Sequence, residues 1–322
     1  MSDPRTDLAW FSLFSMKGFG PKRLHALRRA AQVAGLEVTD LPAMAREGLD
    51  PHTLGLGAAT IEALRNVSID SRQRDFTHLR ESGVAVVHLD HPGYPSALVQ
   101  RMGDSAPPVL FCKGTIAILA APGIALVGSR HASPPALEIA RATAHAIACA
   151  GMNVISGYAG GIDTQAHLGA LEADGTTTLV LSSGIMDFSR KPVFAHVRWE
   201  GNVLAISQFD PNMKWNARSA MVRNKLACAL AQAVLVVESG VHRPGKMSGT
   251  FDTGLSALKL GVPLFVIEPR TLPSCPPGNT ELIKRGGTAV APADAVAAIM
   301  ADRRVRCSAS PADDHDRQLS LL

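Results

Sequence analysis

Apolar positions along this chain change their period near residue 80. Up to about residue 78 they recur at helical spacing, in pairs such as Leu24 and Leu27 or Ile61 and Leu64. Two similar pieces carry these pairs: Gly18-Phe19-Gly20-Pro21 runs into a helix over 22–31, and Gly55-Leu56-Gly57 runs into one over 58–66. From Val84 to about Met300, short β-branched runs alternate with helical stretches. The runs at 124–127, 153–155, 178–181, 203–206, 234–237 and 262–267 predict strands, each flanked by a helix, with long helices over 136–150, 163–173 and 251–260. Strands this apolar are buried on both faces, so the pattern predicts an α/β fold with a doubly wound, mostly parallel sheet. Three units follow: a helical domain over 1–78, the sheet domain over 79–301, and a polar tail over 302–322 expected to be disordered.

Ligands of such sheets bind beyond the carboxyl ends of the strands. Four loops at those ends are unusual. They are Gly128-Ser129-Arg130 with Ala132-Ser133, the run Ser156-Gly157-Tyr158-Ala159-Gly160-Gly161-Ile162-Asp163, the trio Ser182-Ser183-Gly184, and Lys246-Met247-Ser248-Gly249-Thr250. Glycine lets a backbone approach a ligand closely, and hydroxyls with the free N–H groups of a helix start donate to anionic oxygens. Arg130 and Lys246 add full charges. Capping alone explains one such loop, but four on one sheet edge exceed what capping needs and describe a trough for phosphates. There is no G-x-G-x-x-G after the first of these strands and no G-x-x-x-x-G-K-[ST], so neither a dinucleotide cofactor nor ATP hydrolysis is expected.

The two glycine turns near the start have the shape of a helix–hairpin–helix, with Lys22, Arg23, Arg28 and Arg29 around the first. Acidic residues nearly cancel that charge, so a plain helical bundle that packs or binds a protein explains the zone equally well. The formal net charge of +4 permits a polyanionic partner without requiring one. Five scattered cysteines without a C-x-x-C pair point to a reducing compartment. A charged start and the lack of a long apolar window point to the cytoplasm, away from any membrane. Aromatic residues make up only 5% of the chain, which argues against a stacking platform of the OB or RRM kind. Binding led by phosphates is indifferent to base sequence.

At these loops the chain resembles the DNA-processing protein DprA (Smf) family. The residues that carry the likeness are Val127-Gly128-Ser129-Arg130-His131-Ala132-Ser133, then 156–163 with Ala166-His167, Gly169-Ala170-Leu171, Arg223-Asn224, Val236-Val237-Glu238 and Ser248-Gly249-Thr250. Tyr94-Pro95, Pro108-Val109-Leu110-Phe111 and Lys113-Gly114 resemble the family's lead-in to the sheet, and Gly278-Asn279 with Leu282-Ile283 its closing segment. The resemblance implies an extended Rossmann-like fold with a small SAM or helix–hairpin–helix-like domain before it. It also implies binding of single-stranded DNA, a homodimer, and delivery of the strand to a RecA recombinase during transformation or recombination, with no cofactor and no catalysis. The implied pocket holds Gly128, Ser129, Arg130, Ser133, Ser156, Gly157, Gly161, Asp163, Arg223, Asn224, Lys225, Ser248, Gly249 and Thr250, with Lys246 beside it. The chain departs from the family pattern at Gly160, where a basic residue is usual, and at Lys225, a point charge in place of a forked guanidinium. The usual Tyr-Pro near 187–190 is missing, and the tail is too short for the winged-helix domain of many members.

Enzyme readings are weaker on the residues. Asp163 and His167 share a helix face and have the spacing of an acid–base pair or half a metal site, but no third ligand stands nearby. The plainer expectation has Asp163 capping the helix and His167 bonding locally. Ser129 and Ser156 lie outside G-x-S-x-G. The Ser248-Gly249-Thr250 loop also resembles phosphoribohydrolases of the lysine-decarboxylase-like type. Those carry a Glu where this chain has Thr253, so the catalytic carboxylate is missing; a nucleotide-binding sensor or phosphoribohydrolase-like protein of the same fold, including one in phage defence, is the alternative to DNA binding. A protein-interaction module built on the first helices is a third.

Overall fold

The computed structural model describes residues 3–49, 54–242 and 248–307. Five helices come first: α1 (Pro4–Phe14), α2 (Pro21–Val33), α3 (Leu41–Arg46), α4 (Ala58–Arg65) and α5 (Ile69–Glu81). Local chemistry sets their starts. Asp3 caps α1 through the Arg5 amide, Ser68 caps α5 through the Ser71 amide, and proline occupies the first turn of α1, α2 and α3. Their inward stripe includes Trp10, Leu13, Leu24, Leu27, Leu41, Ile61 and Leu64, all fully buried. These side chains share one hydrophobic cluster with Val84, Val86, Val109 and Phe111. Those four belong to β1 (Val84–His88) and β2 (Val109–Gly114), so the helices close one end of the sheet rather than standing off from it.

The remaining chain winds as α6 (Ser96–Met102), β3 (Gly123–Val127), α7 (Pro134–Cys149), β4 (Asn153–Gly157), α8 (Ile162–Glu172), β5 (Thr177–Val180), β6 (Val203–Ser207), α9 (Ala217–Leu230), β7 (Ala233–Val236), α10 (Gly249–Lys259), β8 (Leu264–Ile267), α11 (Pro277–Lys284), β9 (Thr288–Val290), α12 (Ala295–Ala301) and α13 (Arg303–Cys307). The sheet order is β1-β2-β6-β5-β4-β3-β7-β8-β9. Pairing is antiparallel from β1 to β6 and parallel from β6 to β9. Side chains of β3 alternate as the pleat requires. Ile124 and Leu126 join the cluster under α7 and α8, while Ala125 and Val127 join the one under α9 and α10. Both faces are covered, and the doubly wound, mostly parallel sheet expected from the sequence is present.

Some elements differ from expectation. β1, β2 and β9 lie outside the six runs assigned as strands; β9 has three residues, two of them exposed, too few for a period to register. The connection from β5 to β6 contains no α-helix. Two 3-10 turns, Ile185–Asp187 and Pro192–Phe194, take its place, and the rings of Tyr158, Phe188, Phe194 and Trp199 stack on one another as the cover. Glycine and proline in that stretch interrupt a helix, and bulky rings fill the layer it would have occupied. Beyond residue 302, α13 adds a helical turn whose Val305 is buried; 308–322 lie outside the described residues. No helix among the described residues is long and apolar enough to cross a membrane.

One consequence positions the site. From β3 the chain runs to one side through β4, β5 and β6, then crosses back to β7, β8 and β9. Winding reverses between β3 and β7, and such a reversal leaves a crevice at the carboxyl ends of the two strands.

Candidate nucleic-acid interface

A cavity of about 450 Å³ occupies that crevice. It is walled by 128–131 after β3, by Ala159 and Asp163 after β4, by Trp215, Ala217, Ala220, Met221, Arg223 and Asn224 around the head of α9, and by Gly240 with Ser248, Gly249, Thr250 and Thr253 at the head of α10. Two glycines make the convergence possible. Gly161 has φ +69°, and the carbonyl groups of Ser129 and Arg130 stand where its Cβ would be, while the Ile162 amide donates to the Ser129 carbonyl at 3.2 Å. At Gly157 the place of a Cβ is taken by the guanidinium of Arg223 and the carboxylate of Asp163.

Those two charges form the floor. Their side chains are 7% and 9% exposed and their closest atoms are 3.6 Å apart, a loose ion pair. Asp163 also accepts from the Ala159 amide at 3.3 Å, whereas Arg223 Nε is buried without a hydrogen-bond partner. Burial pulls the Arg223 pKa below its ordinary value; Asp163 opposes this and Arg130 adds to it. Guanidinium stays protonated regardless, so the floor holds a desolvated cation with a spare donor. With Arg130 on the wall, two guanidiniums face one carboxylate. The head of α10 also opens on the cavity: Ser248 takes the Phe251 amide, and Asn224 steadies the turn by donating to the Gly249 carbonyl at 3.3 Å. The positive end of the helix dipole and its first-turn amides therefore border the same space as the arginines.

Nine of the expected site residues line the cavity: Gly128, Ser129, Arg130, Asp163, Arg223, Asn224, Ser248, Gly249 and Thr250. Gly157 and Gly161 act from behind, by letting neighbours approach. Others are placed elsewhere. The Ser133 amide and hydroxyl donate to the buried Glu238 carboxylate, the hydroxyl at 2.6 Å, so the head of α7 already holds an anion. Ser156 is fully buried and donates to the Leu126 carbonyl at 2.7 Å. Lys225 is exposed on α9, away from the lining. Lys246 lies outside the described residues. The loop 182–184 is tied inward, its Ser182 and Ser183 carbonyls accepting from Ser219 and Ser207. α9 replaces that loop as the fourth wall.

Asp163 and His167 do not form an acid–base pair at the cavity. The His167 Nε2–H donates to the Gly157 carbonyl, and Nδ1 lies 2.7 Å from the Thr177 hydroxyl. Complete burial pushes its pKa down to about 4, with the Gly157 hydrogen bond opposing, so the ring is neutral at ordinary pH. Its work is local bonding, as the plainer expectation had it.

Sequence reasoning passed over Lys191 and Trp215. Lys191 Nζ donates to the Tyr158 and Ala159 carbonyls at 2.8 and 3.3 Å and lies 4.1 Å from the Tyr158 ring centroid. It brings a cation to the loop that has glycine at 160. Burial lowers its pKa, Asp163 opposes this, and Arg130 adds to it. Trp215 stands directly before the Asn216–Ser219 capping box of α9. A capping box locates a helix start but not the ring beside it, so the sequence held no signal for either residue.

Known proteins resemble this chain in sequence and in fold. The family model described as DNA recombination-mediator protein A matches residues 85–301. Protein Smf of Synechocystis sp. is 28% identical over 263 residues, which cover 77% of this chain and 63% of that protein, so under two thirds of the relative's length is represented. The solved structure of DNA processing protein A from Streptococcus pneumoniae superposes with a TM-score of 0.68 at 22% identity, covering 92% of this chain and 98% of that one. That of DNA processing protein A from Helicobacter pylori, whose description concerns a single-stranded DNA binding mode, superposes with a TM-score of 0.56 at 22% identity, covering 67% and 95%.

Proposed function

The chain belongs to the DNA recombination-mediator protein A family, and from that premise we propose that it binds single-stranded DNA in the cavity between β3 and β7, without catalysing a reaction. The observation that carries this is Arg223. A buried guanidinium on the floor of an open cavity, matched by one loose carboxylate and joined by Arg130 on the wall, leaves positive charge that a further anion offsets. A backbone phosphate supplies that anion. It meets Arg130 on the wall and the amides at the head of α10 at the same time. A strand offers such anions in series, and a narrow opening at the carboxyl ends of the strands admits a flexible single strand more readily than a stiff duplex. As part of the same reading the protein acts as a homodimer in the cytoplasm and hands the strand to a RecA-type recombinase; the description of the family as a recombination mediator supports the hand-over alone.

Fluorescence anisotropy with a labelled oligothymidine, a duplex of equal length and a mononucleotide competitor tests the binding step. The single strand should bind best, and log affinity should fall with log salt at about −0.7 for each phosphate contacted. Displacement of the strand by micromolar mononucleotide would instead favour a nucleotide sensor.

A further inference from the structure

Trp215 lies on the cavity wall with 53% of its surface exposed. It belongs to none of the three hydrophobic clusters of the described residues, and its ring contact among them is the Arg130 guanidinium, 5.9 Å from the ring centroid. The other two indoles behave differently. Trp10 is fully buried with its N–H on Asp90, and Trp199 stacks within the aromatic cover between β5 and β6. A ring with half its surface in water contributes less to the fold than a buried one. Here it stands where a cationic cavity opens, against a residue that lines that cavity.

We propose that Trp215 is a stacking platform for one nucleobase of the bound strand. A nucleotide joins a planar π face to an anion across one sugar, and this wall offers an indole face beside guanidinium and helix-head donors. Arg130 serves both partners: it lies over the indole, and it borders the space in which a phosphate meets Arg223. The low aromatic content of the chain has no bearing on a single ring placed at the site. This proposal rests on the single-strand reading above and adds to its phosphate contacts a base contact that is blind to base identity, since every base has a π face.

The test compares two strands of equal length and charge, an oligothymidine and its abasic counterpart, by anisotropy and by intrinsic tryptophan fluorescence. The unaltered protein should prefer the base-bearing strand about tenfold or more, and that strand should quench its fluorescence. Trp215→Ala should bind both strands alike, at the abasic level, with the salt slope unchanged because no phosphate contact is lost. Trp215→Phe should keep most of the preference while losing the quench. An undiminished preference in Trp215→Ala overturns the platform and leaves strand binding standing, as does equal binding of both strands by the unaltered protein. Failure of the unaltered protein to bind either strand overturns the single-strand reading itself, and the platform with it.

Discussion

The corners at the heads of α2 and α10 both place glycine at a helix start, Gly20 as the cap of α2 and Gly249 after the Ser248 cap of α10, and both have arginine nearby. Their charges end in different states. Around α2, Arg23 donates back to the Gly18 carbonyl at 3.0 Å, Arg28 pairs with Asp90, and Arg29 takes both oxygens of Asp104. Each of these guanidiniums has a protein partner, and the Arg28 and Arg29 pairs tie α2 to the stretch between β1 and β2. Around the cavity, Arg130 has no ion pair among the described residues and Arg223 keeps an unpartnered Nε. The number of basic residues near a helix start therefore says little about anion binding. What matters is whether the fold has already matched them.

The largest expected break in this comparison comes from adding one methyl group to each region. At Gly20, the residue before α2, a Cβ meets nothing within 4 Å and φ is −82°, so Gly20→Ala should cost under about 1 kcal/mol in urea unfolding, the loss of a cap preference. At Gly157 the Cβ falls on the guanidinium of Arg223. Gly157→Ala must push that group off Asp163, and breaking a buried pair costs about 3–5 kcal/mol. Strand binding should fall below detection in the same variant. A Gly157→Ala protein that unfolds and binds like the unaltered one would mean Arg223 is not held where its burial places it.

Next in size is a pH effect beneath the second corner. The pKa of His167 is about 4 in the folded chain against about 6.5 when unfolded, so between those values the unfolded state binds the proton more readily. Stability from this group is intact above pH 6.5 and is lost as pH falls toward 4, on the order of 3 kcal/mol in all. The slope of unfolding free energy with pH over that window should shrink by up to one proton in His167→Gln, whatever that variant does to absolute stability. An unchanged slope would show that His167 is not the proton acceptor.

How far this contrast could be read from the chain differs between fold and site. Of the strands at the middle of the sheet, β3 and β7 announce themselves by wholly apolar runs and β4 by a run that ends in Ser156-Gly157, because burial on both faces keeps charged positions out of them. β9 and the helix-free crossover after β5 do not, since a three-residue strand has no period and stacked rings can stand in for a helix. For the site, the Gly-Ser-Arg loop after β3 and the Ser-Gly-Thr start of α10 were legible as local turn chemistry. The closure of the α7 head by Glu238, the inward bond of Ser156, and the pairing of Arg28 and Arg29 were not. Each depends on a partner 30 or more residues away that only the folded topology brings near. Local pattern locates a donor, but tertiary contacts decide whether it is free.

The smallest expected effect tests that point most directly. Arg130→Ala and Arg29→Ala remove the same group from the two regions. If only unmatched charge meets the strand, Arg130→Ala should weaken binding about tenfold at moderate salt and flatten the log–log salt dependence by about 0.7, one contact's worth. Arg29→Ala should leave both affinity and slope unchanged, because its guanidinium already faces Asp104 and removing it releases no counterion from DNA. It also frees a carboxylate, so any change it causes should be a slight weakening through long-range repulsion that vanishes as salt rises. Equal flattening by the two variants would place the first helices on the strand and erase the distinction between the corners. Flattening by Arg130→Ala alone would leave the cavity as the place where backbone phosphates are held.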